Sequence, residues 1–310
     1  MSSARPVPGW YPPLILAVLG AIWGGGATVA KYTAVNGLPP PGVTFWQMAI
    51  AATVLLVVTT LRGRRPPFDR RALRYYAMVG IVGLAVPNMN MVFVTRYIPG
   101  GTMAVALTLA PLFTYSIAFA VGHERFDRLR IAGLALGLGG AALLVVPHGS
   151  LPDHAVLPYA LAAFITPLLY ATGNVFADRH RPPATDSVAL ACGMLYVAAL
   201  GAGTVAVATG GFHPIWADAS LPNIVLAIYG AVSALAFLGF FELLRLAGAV
   251  YFSQVAYLIT ICGVVFAAIV FGERPGPWFA AAVALVFGGV ALLNIGRRRA
   301  MARAAAAKAG

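Results

Sequence analysis

Long apolar runs, separated by short connections rich in Gly, Pro or Arg, make up almost the whole chain. Several runs reach the roughly 20 residues that an α-helix needs to cross a hydrocarbon core about 30 Å thick. No connection is long enough to form a soluble domain, so the pattern predicts an all-α polytopic membrane protein with ten transmembrane helices. The predicted spans are 12–35, 42–61, 75–95, 101–121, 131–146, 156–177, 187–208, 220–242, 249–271 and 277–296.

One helix-length pattern occurs twice in the chain. The stretch 102–124 is apolar and ends on a Glu, and the stretch 251–273 repeats this pattern. A shift of 149 residues places Glu124 on Glu273 and also aligns the Gly pairs that follow them. The repetition predicts two five-helix repeats. The expected organisation is a cytoplasmic N-terminus at 1–11, a first repeat at 12–146, an external linker at 147–155, a second repeat at 156–296 and a basic cytoplasmic tail at 297–310.

Composition supports the membrane class, and the charge pattern adds a topology. Hydrophobic residues make up 60% of the chain, charged residues 10%, and the mean hydropathy is +0.85. The net charge of +12 comes from basic residues between the spans, where they set orientation, so no nucleic-acid partner is expected. With a cytoplasmic N-terminus, only Lys31, Arg96 and Arg274 of the 21 basic residues fall outside. Both termini are therefore predicted to be cytoplasmic.

An odd number of helices per repeat makes the second repeat cross the membrane in the opposite sense to the first. Glu124 then lies on the cytoplasmic side and Glu273 on the external side. Inverted repeats of this kind place a substrate site near the membrane midplane, between the halves. The sequence thus predicts a transporter that works by alternating access.

Enzyme chemistry finds little support in the sequence. All five His residues lie at span ends or in loops, and both Cys residues, Cys192 and Cys262, fall inside spans as small packing residues. No catalytic residue, metal site or cofactor is predicted, and the partners expected are a small-molecule substrate and the lipid bilayer. A membrane receptor or scaffold is the alternative class.

The order of several short motifs resembles that of a known family. Trp23-Gly24 stands in the first span, Pro111 in an Ala-rich fourth span that is followed by Glu124, and Gly272-Glu273 closes the ninth. In these features the chain resembles the EamA-like branch of the drug/metabolite transporter superfamily. The resemblance implies a bacterial inner-membrane exporter of amino acids or related metabolites, comparable first with YddG-type amino-acid exporters.

Other positions depart from the usual family pattern. His123 stands where a Gly is expected, Thr260 takes the place of the Pro in the second repeat, and Trp46-Gln47 stands where relatives often have an Arg. These departures leave the substrate open. A stripe of small residues in span five could serve dimerisation, but packing within one chain is the preferred interpretation, so a monomer is expected.

Polar, aromatic and helix-weakening residues inside the spans are the candidates for substrate contact, because unpartnered polar groups are costly there. Each has the alternative role of bonding a neighbouring helix. Together they would line a neutral, aromatic cavity suited to a zwitterion, with organic cations as the alternative cargo. The candidates are Trp23, Gly25, Trp46, Gln47, Asn88, Asn90, Thr108, Pro111, Tyr115, Tyr170, Asn174, Gln254 and Tyr257.

Charged residues near span ends are candidates for gates or interfacial anchors. They are Lys31, Glu124, Asp178 and Glu273. None of the nine acidic residues lies near a predicted span centre, whereas proton-driven carriers commonly use a buried carboxylate. The sequence therefore favours facilitated export over proton exchange, and proton-coupled multidrug efflux is the alternative.

Overall fold

The computed structural model describes residues 8–122, 124, 126–145, 154–183, 185–252, 255–274 and 276–309, and regular secondary structure in these ranges is entirely helical. Eight helices of this described part are long and apolar enough to cross a bilayer. The prediction of an all-α membrane protein is therefore confirmed at this level.

The described residues form ten helical units, which follow the order of the predicted spans. Those corresponding to spans five and nine are the shortest, with 18 and 17 residues. In chain order the units are α1 (Tyr11–Val35), α2 (Pro40–Leu61), α3 (Arg70–Val94), α4 (Gly100–Ala120), α5 (Arg128–Val145), α6 (Leu157–His180), α7 (Ser187–Ala208), α8 (Leu221–Phe252), α9 (Val255–Phe271) and α10 (Pro277–Ala309).

Two helices end ten or more residues beyond their predicted ends. α8 continues ten residues beyond the predicted end of its span at 242, because no Pro or turn sequence stops it there and Arg245 bonds Glu242 one turn back along the same helix. α10 runs to Ala309, well past the predicted end at 296. The tail is rich in Ala and Arg, which are among the strongest helix formers.

Three helices are irregular four residues before a proline. Pro cannot donate a backbone hydrogen bond, and its ring crowds the carbonyl of residue i−4. The first part of α4 accordingly ends at Leu107, four residues before Pro111, and the first part of α6 ends at Ala163, four before Pro167. In α3 a π-helical segment at Met78–Ala85 precedes Pro87. Discontinuous helices of this type are frequent where transporters bind substrate.

α4 packs antiparallel to its counterpart α9, and α5 packs against its counterpart α10. The start of α4 contacts Glu273, just beyond the end of α9, and Thr108 further along α4 contacts Thr260. α5 and α10 are in close backbone contact: a Cβ placed on Gly133 would lie 2.6 Å from the carbonyl oxygen of Gly289. The small residues that the sequence places in α5 therefore serve packing within the chain.

The remaining contacts follow the same scheme. α1 packs on α8 and α9, and the corresponding helix α6 packs on α3 and α4. α2 packs on α7 and α8, and α7 correspondingly packs on α2 and α3. Replacing each helix by the one five places along the chain thus reproduces these helix contacts.

We expect Gly289→Ala to destabilise the α5–α10 contact. Its Cβ would lie 2.5 Å from the carbonyl oxygen of Gly133 and 2.7 Å from the amide nitrogen of Gly137, so the helices must separate. Overpacking of this kind costs about 1–3 kcal/mol. Thermal unfolding of the purified protein in detergent should show a lower Tm.

The matched control is Gly139→Ala, where an added Cβ meets no atom within 4 Å. That change should keep or raise the Tm, because Ala favours a helix over Gly by up to about 1 kcal/mol. Equal Tm values for the two variants would show that the helices do not approach as closely as described.

Candidate functional site

Aromatic residues of α1 and α8 meet at the middle of α1. The ring of Trp23 lies edge-on to Phe237, with centroids 6.4 Å apart, and also contacts Phe240 and Phe252 at 6.0 Å. Gly26, one turn further along α1, leaves room for Tyr229: a Cβ there would lie 2.6 Å from the Tyr229 hydroxyl. The glycine run of α1 therefore lets an α8 tyrosine approach the helix backbone.

Tyr229 also connects this region to the other half of the chain. Its hydroxyl interacts electrostatically with that of Tyr170 in α6, and the Tyr170 hydroxyl interacts with the side chain of Asn88 in α3. Asn88 is buried, and its Nδ2 donates to the carbonyl of Leu84 at 2.8 Å. We call Trp23, Asn88, Tyr170, Tyr229 and Phe237 the central cluster; it joins α1, α3, α6 and α8.

The central cluster repeats between the halves. In the first helix of each half a shift of 147 residues places Trp23 on Tyr170, and in the third helix the shift of 149 places Asn88 on Phe237. The pair of Trp23 with Phe237 and the pair of Tyr170 with Asn88 therefore occupy corresponding positions in the two halves. Chemically the cluster offers ring faces, two hydroxyls and one amide, and no member is charged.

One end of the bundle is held together by a carboxylate. Lys31 Nζ of α1 donates to Glu273 Oε1 at 2.5 Å, and the backbone N–H groups of Gly100 and Gly101 donate to the two carboxylate oxygens at 2.7 and 3.0 Å. Lys31 also lies 4.8 Å from the centre of the Phe271 ring. Both charged side chains are only 16% exposed. We call this the Glu273 end; here one carboxylate joins α1, α4 and the residues after α9.

The opposite end of α4 carries a different arrangement. Glu124 accepts a hydrogen bond from Arg130 Nη1 at 2.6 Å, and the Arg130 guanidinium lies 5.2 Å from the centre of the Tyr115 ring. Asp178 of α6, which corresponds to Lys31, is exposed. Glu124 and Asp178 are both carboxylates and repel each other, so they cannot form the ion pair that Lys31 and Glu273 form. We call this the Glu124 end.

Several candidates from the sequence are placed in helix contacts outside the central cluster. The indole N–H of Trp46 donates to the carbonyl of His213 at 2.7 Å, in the connection after α7. Asn90 donates to the Ala162 carbonyl and to Thr166 Oγ1, both at 2.9 Å, and so ties α3 to α6. These positions fit the alternative role of bonding a neighbouring segment.

The candidates of α4 and α9 have similar surroundings. The hydroxyls of Thr108 and Thr260 bond each other in a buried contact. The Tyr257 ring lies edge-on to Phe287 of α10, with centroids 5.2 Å apart. Tyr115 lies at the Glu124 end, as described above.

The remaining candidates have no shared location. A Cβ added at Gly25 would lie 3.6 Å from the Phe266 ring, which is an ordinary contact. At Gly24 and Gly26 an added Cβ would instead clash with a neighbouring helix. Gln47 and Pro111 are half-buried, and Asn174 is exposed. Gln254 lies outside the residues that the structure describes.

Tyr229 and Phe237 were not among the candidates drawn from the sequence. A signal existed: Tyr229 is a polar aromatic residue in the middle of a strongly apolar span, two turns before Phe237 on the same helical face. The repeat register also equates Phe237 with the candidate Asn88.

Apolar spanning helices, a duplicated helix arrangement and an uncharged polar cluster between the halves define a multi-pass membrane transporter. The EamA-like transporter family matches the chain twice, over residues 12–146 and 157–295. The chain therefore belongs to this family, within the drug/metabolite transporters. Membership makes it a transporter rather than an enzyme.

Individual relatives are distant but cover much of the chain. A Streptantibioticus cattleyicolor protein named "Probable terminal-alkyne amino-acid exporter" is 26% identical over 274 residues, 85% of this chain and 88% of the relative. "Uncharacterized transporter YyaM" of Bacillus subtilis is 25% identical over 226 residues, 68% of each chain. A solved crystal structure, 19% identical, matches with a TM-score of 0.62 over 92% of this chain and 98% of its own, which shows a common fold.

We expect a strong energetic coupling between Lys31 and Glu273. Removing one of the two side chains leaves the charge of the other largely buried and without its counter-ion, which is destabilising. In a double-mutant cycle of Lys31→Gln and Glu273→Gln, the coupling should be about 1–3 kcal/mol. Thermal or denaturant unfolding of the four proteins measures it.

The pair Glu242 and Arg245 is the control, because it is more exposed and lies within one helix. Its coupling should be about 0.3–0.5 kcal/mol. A Lys31–Glu273 coupling no larger than that of the control would contradict the description of the Glu273 end.

Proposed function

We propose that this protein exports amino acids or related small metabolites across the bacterial inner membrane by alternating access. The substrate binds at the central cluster, between two inverted five-helix repeats. The observation that carries the proposal is the uncharged group of aromatic rings, hydroxyls and amide to which both halves contribute.

Ten membrane crossings in an inverted arrangement are part of the proposal. The antiparallel pairing of α4 with α9 supports it, since an odd number of helices per repeat must reverse every helix of the second half. The exchangeable contact pattern of the two halves is further support. The distribution of basic residues supports the further proposal that both termini and the Glu124 end are cytoplasmic and that the Glu273 end is external.

The chemistry of the central cluster favours a substrate without net charge. Binding a singly charged ion at a neutral, partly desolvated site would leave its charge without a partner. A zwitterionic amino acid can bond both hydroxyls and the amide, while its side chain contacts the Trp23 and Phe237 rings. The name of the Streptantibioticus relative, an amino-acid exporter, agrees with this class.

The two ends supply the asymmetry that alternating access requires. At the Glu273 end, one carboxylate closes the gap between α1 and α4, and we assign it as the external gate. Glu124 and Asp178 cannot form the equivalent contact, so the cytoplasmic end opens with less cost. The central cluster is then loaded from the cytoplasm, and the ion pair of Lys31 and Glu273 must separate for release outside.

Facilitated export is the proposed energetic mode. Among the described residues, no Asp or Glu belongs to the central cluster, and Glu273 lies at a helix end with its charge paired. A proton antiporter needs a group that takes up and releases protons along the pathway.

Organic-cation efflux is the second candidate function, and the surroundings of Trp23 favour it. Three further aromatic rings lie within 6.4 Å of the Trp23 ring, and ring faces attract quaternary or aromatic cations. Such cargo needs no bond to Tyr170 or Tyr229, so the two functions respond differently to removal of these hydroxyls.

We expect Tyr170→Phe and Tyr229→Phe to slow amino-acid counterflow by about five- to tenfold each, because each variant loses one hydrogen bond worth about 1 kcal/mol. The assay uses proteoliposomes without a pH gradient and a panel of radiolabelled amino acids. Tyr196→Phe, the same chemical change at an exposed contact of α7 with Thr53, should transport at the normal rate.

Three results would count against the proposal. No counterflow with any amino acid would remove the substrate class, and counterflow of organic cations that is insensitive to both hydroxyls would favour the second function. Uptake that needs an imposed proton gradient would overturn the facilitated mode.

A further inference from the structure

A basic cavity lies on the outside of the bundle, away from the central cluster. It has a volume of about 620 Å³ and is formed where α3 begins and α6 ends. Its lining comprises Arg70, Arg71, Arg74, Tyr75, Phe176 and His180.

The three arginines of this cavity are available to a ligand. All three are exposed, and none takes part in the ion pairs formed by the described residues. The neighbouring carboxylate, Asp69, caps α3 by accepting the backbone N–H of Arg71 at 3.2 Å. Its single negative charge leaves an excess of positive charge at the cavity.

Aromatic residues form the remaining walls. The His180 ring stacks on Phe176, with centroids 4.1 Å apart and planes 18° from parallel, and Tyr75 is buried behind the arginines. Guanidinium groups bind phosphate oxygens through paired N–H donors, so the chemistry of the cavity fits a phosphate ester.

The surface next to the cavity is apolar. Ala77 and Ile81 follow Arg70 and Arg74 at intervals of three and four residues along α3, and both are exposed. Leu73, beside the arginines, is 46% exposed. A ligand held by the arginines would therefore lie at the start of a membrane span, with hydrocarbon-facing surface directly beside it.

We propose that this cavity binds the headgroup of an anionic phospholipid. The phosphodiester bonds Arg70, Arg71 and Arg74, and the acyl chains lie along Ala77 and Ile81. A soluble phosphate would bind the arginines but leave the apolar surface at Ala77 and Ile81 unused. For this reason we assign the lipid as the ligand.

Native mass spectrometry of the purified full-length protein tests the proposal, with dioleoyl phosphatidylglycerol, dioleoyl phosphatidylcholine and inorganic phosphate as probes. We expect the protein to bind phosphatidylglycerol at least tenfold more tightly than phosphatidylcholine. The triple variant R70Q/R71Q/R74Q should lose this preference, since each basic residue at an anionic lipid surface contributes about a fivefold factor in affinity.

The control variant R297Q/R298Q/R299Q removes the same charge from three exposed residues of α10 and should keep the preference. The single variant Arg74→Gln, expected to lose about fivefold in affinity, replaces the triple variant if that fails to fold. Equal losses in both triple variants would overturn the proposal, as would unchanged binding in R70Q/R71Q/R74Q and R74Q. Displacement of phosphatidylglycerol by millimolar inorganic phosphate would also overturn it, by assigning the cavity to a soluble anion.

Discussion

The carboxylate of Glu273 is the contact on which the proposed mechanism most depends. It accepts from the Lys31 ammonium and from two backbone N–H groups at the start of α4, so three segments distant in sequence meet at one charge. In a low-dielectric surrounding such charge-assisted bonds are strong when complete and costly when one partner is missing. In the proposed mechanism this contact is therefore either fully made or fully separated and solvated.

The duplication supplies two nearly equivalent ends, and a few residues make them different. Asp178 in α6 corresponds to Lys31 in α1 at a shift of 147 residues, so the two repeats carry opposite charges at this position. Glu124 instead pairs with Arg130 from its own half. In the proposed mechanism, this difference in charge at the helix ends gives transport its direction.

Much of the fold could be predicted from the sequence because bilayer thickness and helix periodicity leave few alternatives. The apolar runs gave the order of helices, and the repeated Glu and Gly positions gave the relation between the halves. The long α8 was not predicted, since Arg245 reads as a loop residue unless its bond to Glu242 is known. The irregular helices follow directly from Pro87, Pro111 and Pro167.

The site was harder to predict, because a polar residue in a span can face a pathway or a neighbouring helix. Trp23, Asn88 and Tyr170 meet in the central cluster, whereas Asn90 and Thr108 bond other helices. Nothing local distinguishes Asn88 from Asn90, since both interact with α6; Asn90 bonds the carbonyl of Ala162 and the hydroxyl of Thr166, whereas Asn88 lies with Tyr170. Tyr229 was missed because its role depends on the space left by Gly26 in another helix.

The most direct test of the external gate is a reversible cross-link across it. In a Lys31→Cys/Glu273→Cys variant, a short bifunctional thiosulfonate reagent would join α1 to the end of α9 in the closed arrangement. Counterflow, present in the reduced variant, should stop after cross-linking and return when the reagent is removed with a reductant. Counterflow that continues at the same rate with the cross-link in place would contradict the assignment of this end as the gate.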